Sequence, residues 1–256
     1  MSLKIIKKLA DKKHRNETGL FFVEGEKNIK ELLNSNFYIE EIFGIPPFLD
    51  SLIDAINVYD ERMQARVELT ETKQAELEYA GTFITNAFGI AVVRQKEMSD
   101  ASAILVQAQK DIVIVLDNVR DPGNLGTIVR IADWFNVTHI AASLTTTDFY
   151  SPKVIAASMG SFTRISVTYL SLPNFLEEAK KLDIPIISAD MEGQNIHEAT
   201  FPKKGILLMG SESHGVSEES FAFTTLRVTI PRFGKAESLN VSVATGIILN
   251  ELRRNK

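Results

Sequence analysis

A chain of 256 residues with 45% hydrophobic and 24% charged residues has the composition of an ordinary folded protein, long enough for two domains, and falls outside the disordered, collagen-like and disulfide-scaffold classes. The absence of cysteine removes thiolate nucleophiles, structural disulfides and Cys-based zinc sites. The net charge of −5 is spread along the chain, with 13 Lys/Arg against 17 Asp/Glu in residues 1–100 and 15 against 16 in residues 101–256, so neither half is basic overall and any surface for nucleic acid has to be local.

The first fifteen residues are such a local exception: Lys4, Lys7, Lys8, Lys12, Lys13 and Arg15 face a single acid, Asp11. They read either as a solvated basic helix or, if the segment folds against the body, as a patch that tracks phosphates. Short runs rich in Phe, Ile and Val at 20–23, 37–43, 66–69 and 90–93 are predicted strands. Between them, Glu24 to Leu33 sets Ile29, Leu32 and Leu33 at helical spacing, and Glu71 to Tyr79 follows Thr70 as a cap. Residues 1–95 are therefore expected to form a small α/β domain, and the polar, mixed-charge stretch 96–110 a linker.

From residue 111 onward the pattern is more regular. Apolar runs at 112–116, 138–142, 163–168, 184–188, 205–209 and 226–230 alternate with helical stretches, the pattern of a parallel sheet in an α/β domain spanning 111–256. Ser151 and Pro152 open a short helix that Gly160 closes. No segment of signal-peptide character and no window of about 18 apolar residues occurs, so a cytoplasmic protein without a membrane segment is expected.

Three segments of this second half carry chemistry. The first, Leu116 to Arg130, runs from a strand end through a glycine-containing turn into a helix, the place where α/β proteins bind ligands. Ile128, Ile131, Ala132 and Phe135 form the apolar stripe of that helix and leave Arg130 off it, leaning back toward the turn with Asn124. Arg130 there either meets a phosphate or a developing oxyanion, or pairs with Asp121 or Asp133 on the surface. A dinucleotide-binding reading fails, because Gly-x-Gly-x-x-Gly is absent.

The second segment, Leu207 to Ser217, ends a buried-looking strand in Gly210 and Gly215 spaced around Glu212, so backbone comes close to something. Glu212 either orients a hydroxyl or caps the next helix along with Ser217. His14, His139, His197 and His214 share no ligand spacing, and no metal site is expected. The third segment, Val228 to Ala244, places Ser238 and Asn240 before a final helix that turns Ile247, Ile248 and Leu252 inward; both residues are good caps as well as candidate site residues.

Asn124-x-Gly126-x-x-x-Arg130, then Gly210-x-Glu212-x-x-Gly215, then Ile230-Pro231 followed by Ser238-Leu-Asn-Val-Ser-Val-Ala244 resemble the three ordered motifs of the SpoU/TrmH methyltransferases of the SPOUT superfamily. The resemblance spans about residues 111–254 and includes Ala157-Ser-Met-Gly-Ser161; Phe22-Val-Glu-Gly25 and Gly89-Ile-Ala-Val-Val93 are similar to the substrate-binding domain many members carry in front. It implies a C-terminal parallel sheet with a deep trefoil knot, a homodimer, and S-adenosylmethionine as cofactor. It further implies transfer of a methyl group to a ribose 2′-hydroxyl of RNA, with 23S-type ribosomal RNA the preferred substrate. By the same resemblance Gly210, Glu212, Gly215, Ile230, Ser238 and Leu239 hold the cofactor, while Asn124, Arg130, Glu212, Ser238 and Asn240 line the reaction centre. Arg232 departs from the family pattern, where an apolar residue is common, and is either an RNA contact or a surface variant. Two alternatives stand beside this reading: a tRNA 2′-O-methyltransferase, and a non-catalytic RNA-binding or ribosome-assembly factor on the same fold. If the front domain supplies the RNA address, removing residues 1–95 is expected to spare cofactor binding and abolish methylation.

Overall fold

The computed structural model describes residues 3–211 and 214–254, and divides the chain into two compact units. The first runs up to Glu97 and takes in Asp148–Thr163; the second is Met98–Thr147 with Arg164 onward.

The first unit begins with α1 (Leu3–Lys8), α2 (Lys12–Thr18), β1 (Leu20–Glu24), α3 (Glu26–Leu33) and β2 (Ile39–Gly44). It continues with α4 (Pro46–Asp50), α5 (Ile53–Met63), β3 (Glu68–Glu71), α6 (Gln74–Ala80) and β4 (Gly89–Arg94). Its sheet has the order β1-β4-β2-β3, with β4 antiparallel to both neighbours and β3 parallel to β2. Alternation along the strands sends Phe22, Phe43, Ile90 and Val92 to one face, where Ile6, Leu9, Leu77 and Ala80 complete a core. Ile6 and Leu9 are fully buried, so the basic N-terminal segment is folded against the body. Arg15 is turned inward: its Nη1 donates to Leu9 O at 2.8 Å and Ala10 O at 2.9 Å, and its Nε to Asp148 at 3.0 Å.

The second unit opens with α7 (Ala101–Ala108), β5 (Ile112–Leu116), α8 (Pro122–Trp134) and β6 (His139–Ser143). The segment read as a linker thus contains α7, whose Ile104, Leu105 and Ala108 are buried in the second unit's core. The chain then returns to the first unit for α9 (Pro152–Ser158) and a 3-10 turn at Ser161–Thr163. There Phe149, Tyr150 and Phe162 form a ring cluster with Phe21 and Phe37. Ser151 caps α9 as expected, but the left-handed position at its end is Met159, with Gly160 following at φ 96°.

Beyond it lie β7 (Ser166–Leu170), α10 (Leu172–Lys181), β8 (Ile186–Asn195), β9 (Gly205–Met209), α11 (Glu218–Phe221), β10 (Leu226–Thr229) and α12 (Val241–Arg253). The predicted strand at 163–168 starts late, at Ser166, because the 3-10 turn occupies its first residue. All pairings in this sheet are parallel, in the order β10-β8-β9-β5-β6-β7. The central strands β5 and β9 are buried at every residue, which is why both read as unbroken apolar runs. From β5 the chain goes to β6 and β7 on one side, while β9 pairs on the other, so the order in which strands are added switches sides at β5. A crevice at the carboxyl ends of such strands is where open parallel sheets take ligands.

Candidate active site

The first and second motif segments leave the sheet side by side. Leu116 is in register with Met209, and Asp117 N continues the ladder onto Met209 O at 2.8 Å. Asp117 is 7% exposed, and its Oδ2 accepts from both Ser217 N at 3.0 Å and Ser217 Oγ at 2.6 Å. That carboxylate ties the far end of the second segment to the first. Asn118 follows in the left-handed region at φ 61°, which Asn tolerates better than most residues, and its N–H donates to Ser143 Oγ at 2.9 Å.

Asp121 caps α8 by accepting from Asn124 N at 2.8 Å, with Pro122 in the first turn where its missing N–H costs nothing. This turns Asn124 inward, and its Oδ1 accepts from Asn240 Nδ2 at 2.8 Å, bridging 116 residues of sequence. Asn240 also caps α12: its Oδ1 accepts from Ser242 N at 3.0 Å, Ser242 Oγ at 2.5 Å and Val243 N at 3.4 Å. Asn240 therefore caps α12 and meets Asn124 at the same time. α12 packs beside Ile131 of α8 at Gly246, where a Cβ would make an ordinary contact at 3.5 Å.

Arg130 is exposed on α8. Neither acid offered for it by sequence is its partner, since Asp121 is the helix cap and Asp133 is gripped in a fork by Arg164 at 2.9–3.0 Å. Among the described residues Arg130 makes no hydrogen bond or ion pair, and its side chain is exposed.

In the second segment, Ser211 and Gly215 exchange both backbone hydrogen bonds at 2.9 Å, closing a tight loop. Gly215 takes φ 66°, and a Cβ on Gly210 would fall 1.9 Å from the Gly215 carbonyl carbon. The close backbone approach signalled by these glycines is thus the loop against itself. Glu212 lies outside the described residues. Ser217 caps α11 through Ser220 N at 3.4 Å.

In the third segment Ile230 is half-buried at the end of β10, while Arg232, Ser238 and Leu239 are exposed. Among the described residues no backbone–backbone hydrogen bond involves residues 231–239. Among the described residues no hydrogen bond joins Ser238 to Asn124 or Asn240, so the structure draws together Asn124 and Asn240 but not Ser238. Asp117 and Ser217 were missed as a pair: only an acid at a strand end and a helix-capping serine stand in the sequence, 100 residues apart. Among the described residues no cluster of three or more His, Asp or Glu side chains is set to hold a metal ion.

With this geometry in hand, comparison with known proteins is informative. Residues 111–250 match the SpoU rRNA Methylase family, and residues 1–81 match the MRM3-like substrate binding domain. The chain is 31% identical to the 23S rRNA (guanosine(2553)-2′-O)-methyltransferase RlmP of Bacillus subtilis, over 96% of this chain and 94% of that one. It is 30% identical to the tRNA (guanosine(18)-2′-O)-methyltransferase of Aquifex aeolicus over 64% of this chain and 79% of the relative. An AdoMet-bound rRNA methyltransferase from Sinorhizobium meliloti superposes with a TM-score of 0.85 at 28% identity, covering 99% of this chain and 94% of the other.

Proposed function

This chain belongs to the SpoU rRNA methylase family and is an S-adenosylmethionine-dependent RNA (ribose 2′-O)-methyltransferase; on that premise we propose that its substrate is a 23S-type ribosomal RNA. The likeness to the Bacillus subtilis enzyme over nearly the full length of both chains supports ribosomal RNA over tRNA, for which the Aquifex aeolicus likeness covers 64% of this chain. The observation that carries the assignment of the reaction centre is the Asn124–Asn240 bond, which binds the first motif to the third at the carboxyl end of the parallel sheet.

The residues present fit the cofactor. The backbone of 231–239, engaged by no other backbone group among the described residues, offers amides and carbonyls of the kind that read an adenine edge and ribose hydroxyls. Gly210, Glu212, Gly215, Ile230, Ser238 and Leu239 would hold it, and Glu212 with Asn124, Arg130, Ser238 and Asn240 would form the reaction centre. When bound, S-adenosylmethionine supplies an electrophilic methyl group on a sulfonium. The chain itself has to hold the ribose, a positioning effect worth several kcal/mol. It also has to favour the 2′-oxygen as its proton leaves. Arg130 is suited to the second task as a fixed positive charge beside a developing alkoxide; a guanidinium with a pKa above about 12 is a poor proton acceptor. The proton then passes to an RNA phosphate or to water.

The same reading includes the trefoil knot and the homodimer. Consistent with the knot, α12 packs on α8, the helix that crosses from β5 to β6. Supporting the dimer, Trp134 on α8 and Val243 on α12 are 85% and 49% exposed, apolar side chains that a second copy would cover. A sedimentation mass of one chain would overturn it. Among the described residues no helix is long and apolar enough to cross a membrane.

The experiment that tests the function is transfer of labelled methyl from S-adenosylmethionine to total RNA from cells lacking the protein, with mapping of alkali-resistant positions. A new 2′-O-methyl site in large-subunit RNA is expected. A site in tRNA would move the substrate, and cofactor binding without transfer to RNA or ribosomal particles would point to a binding factor.

A further inference from the structure

Resting on the reading of this protein as an RNA methyltransferase, we propose that α1 and the 81–88 loop of the first unit form one RNA-gripping face. Phosphates of a single-stranded stretch lie on Lys4, Lys7 and Lys8, and a base packs against Ile84.

Ile6, with Leu3 beside it, packs into the core, which leaves Lys4, Lys7 and Lys8, at i, i+3 and i+4, together on the outer face. Because Ile6 and Leu9 are fully buried, the backbone that carries these lysines is already ordered, and only side-chain freedom is lost on meeting a ligand. Arg15 is an internal anchor, so the charge of the N-terminal segment divides into a structural cation and an outward row.

The surroundings keep that row available. Glu76 and Glu78 on α6 and Asp11 after α1 are hydrogen-bonded within their own segments rather than paired with these lysines: Glu76 accepts from Thr72 Oγ1 at 2.9 Å and Lys73 N at 3.0 Å, Glu78 from Gln74 Nε2 at 2.8 Å, and Asp11 from Lys13 N at 2.7 Å. Among the described residues Lys4, Lys7 and Lys8 form no ion pair. Lys7 Nζ sits 3.7 Å from the centre of the Tyr79 ring, which directs it to the end of α6 where the loop begins.

The loop itself is held in shape from below. Glu24, 4% exposed, accepts from Thr82 N at 2.9 Å, Thr82 Oγ1 at 2.6 Å and Phe83 N at 3.3 Å. Asn86, 1% exposed, donates to Gly89 O and accepts from Phe88 N, both at 3.2 Å. This internal bracing presents Ile84 at 96% exposure. A row of cations complements a polyanion, and a fixed apolar tip on the loop that follows α6 suits an unstacked base, the combination that single-stranded RNA presents.

The test uses the full chain, a fluorescein-labelled polyuridine RNA for binding, and total RNA from cells lacking the protein for methylation. The triple variant Lys4→Gln/Lys7→Gln/Lys8→Gln should weaken binding about tenfold or more and reduce the slope of log K against log salt by about 2. Ile84→Ser should weaken binding several-fold with the slope unchanged. In both, KM for RNA should rise with kcat unchanged, and stabilisation by S-adenosylhomocysteine should match wild type. If wild type binds and methylates RNA while both variants equal it in affinity, slope and KM, this face is not the RNA contact and the enzymatic reading stands. If wild type neither binds nor methylates RNA, both fall. Loss of self-association in Ile84→Ser with RNA affinity intact would make a second copy the occupant and overturn the proposal.

Discussion

Both ends of the Asn240 amide are engaged, one as the cap of α12 and the other on Asn124, and substitution can separate the two roles. Serine is as good a cap as asparagine but too short to reach Asn124, whereas alanine does neither. Asn240→Ala should therefore cost about 1 kcal/mol of stability and Asn240→Ser little, while methyl transfer falls to a similar low level in both. Thermal unfolding and turnover measured on the two variants check this; normal turnover in Asn240→Ser would show that the Asn124 contact is dispensable. Arg130 makes the opposite prediction. It is exposed and unpaired among the described residues, so Arg130→Ala should unfold like wild type and bind S-adenosylhomocysteine normally, with kcat reduced about 100-fold or more, the scale seen when a preorganised charge-stabilising donor is removed. Arg130→Lys with near-normal turnover would exclude a necessary guanidinium.

At the scale of elements, the site depends on β5 and β9 ending together and on Asp117 holding Ser217 from across the gap. Asp117→Ala would remove the carboxylate that accepts from the Ser217 N–H and hydroxyl; Ser217 is exposed, so water can replace it and the loss should be about 1 kcal/mol. It should also free the 210–217 segment, so affinity for S-adenosylhomocysteine, measured by calorimetry, should fall; unchanged affinity would mean that the segment keeps its shape without this tie. The strands β5 and β9 were legible to the residue, because a strand buried on both faces is apolar at every position. The edge strand β3, Glu68–Glu71, was displaced by two residues in the sequence reading: Glu-Leu-Thr-Glu is mostly exposed and carries no apolar signature. The helix α7 was hidden because its apolar residues fall in a short stretch flanked by polar ones, and burial comes from a core assembled later in the chain. Of the site, the motif residues were legible as types and spacings, but the Asp117–Ser217 tie was not, since a contact across 100 residues leaves no local pattern.

At the scale of the whole molecule, Asp148–Thr163 belongs to the first unit although it lies deep in the second half of the chain. Phe162 is fully buried, Ile155 is 1% exposed and Phe149 3% exposed, and Phe162 packs on Phe21 and Phe37, which precede residue 95. A cut after residue 95 would thus uncover these side chains, each worth about 1.5–3 kcal/mol when buried. The simple truncation suggested by sequence should therefore give a poorly soluble protein, for reasons unrelated to RNA. Replacing 148–163 by a short Gly/Ser linker in the same truncated protein removes that apolar surface together with its lost partners. This second form should stay soluble and keep S-adenosylhomocysteine binding, because β5, β9 and β10 with the segments that follow them all lie in the second unit. Soluble yield, thermal stabilisation by S-adenosylhomocysteine and methyl transfer to RNA, measured on both forms, check the prediction. A cut protein as soluble as the linker form would show that the 148–163 segment does not depend on the first unit for burial. Full methylation by the linker form would show that the first unit is not needed to hold the RNA.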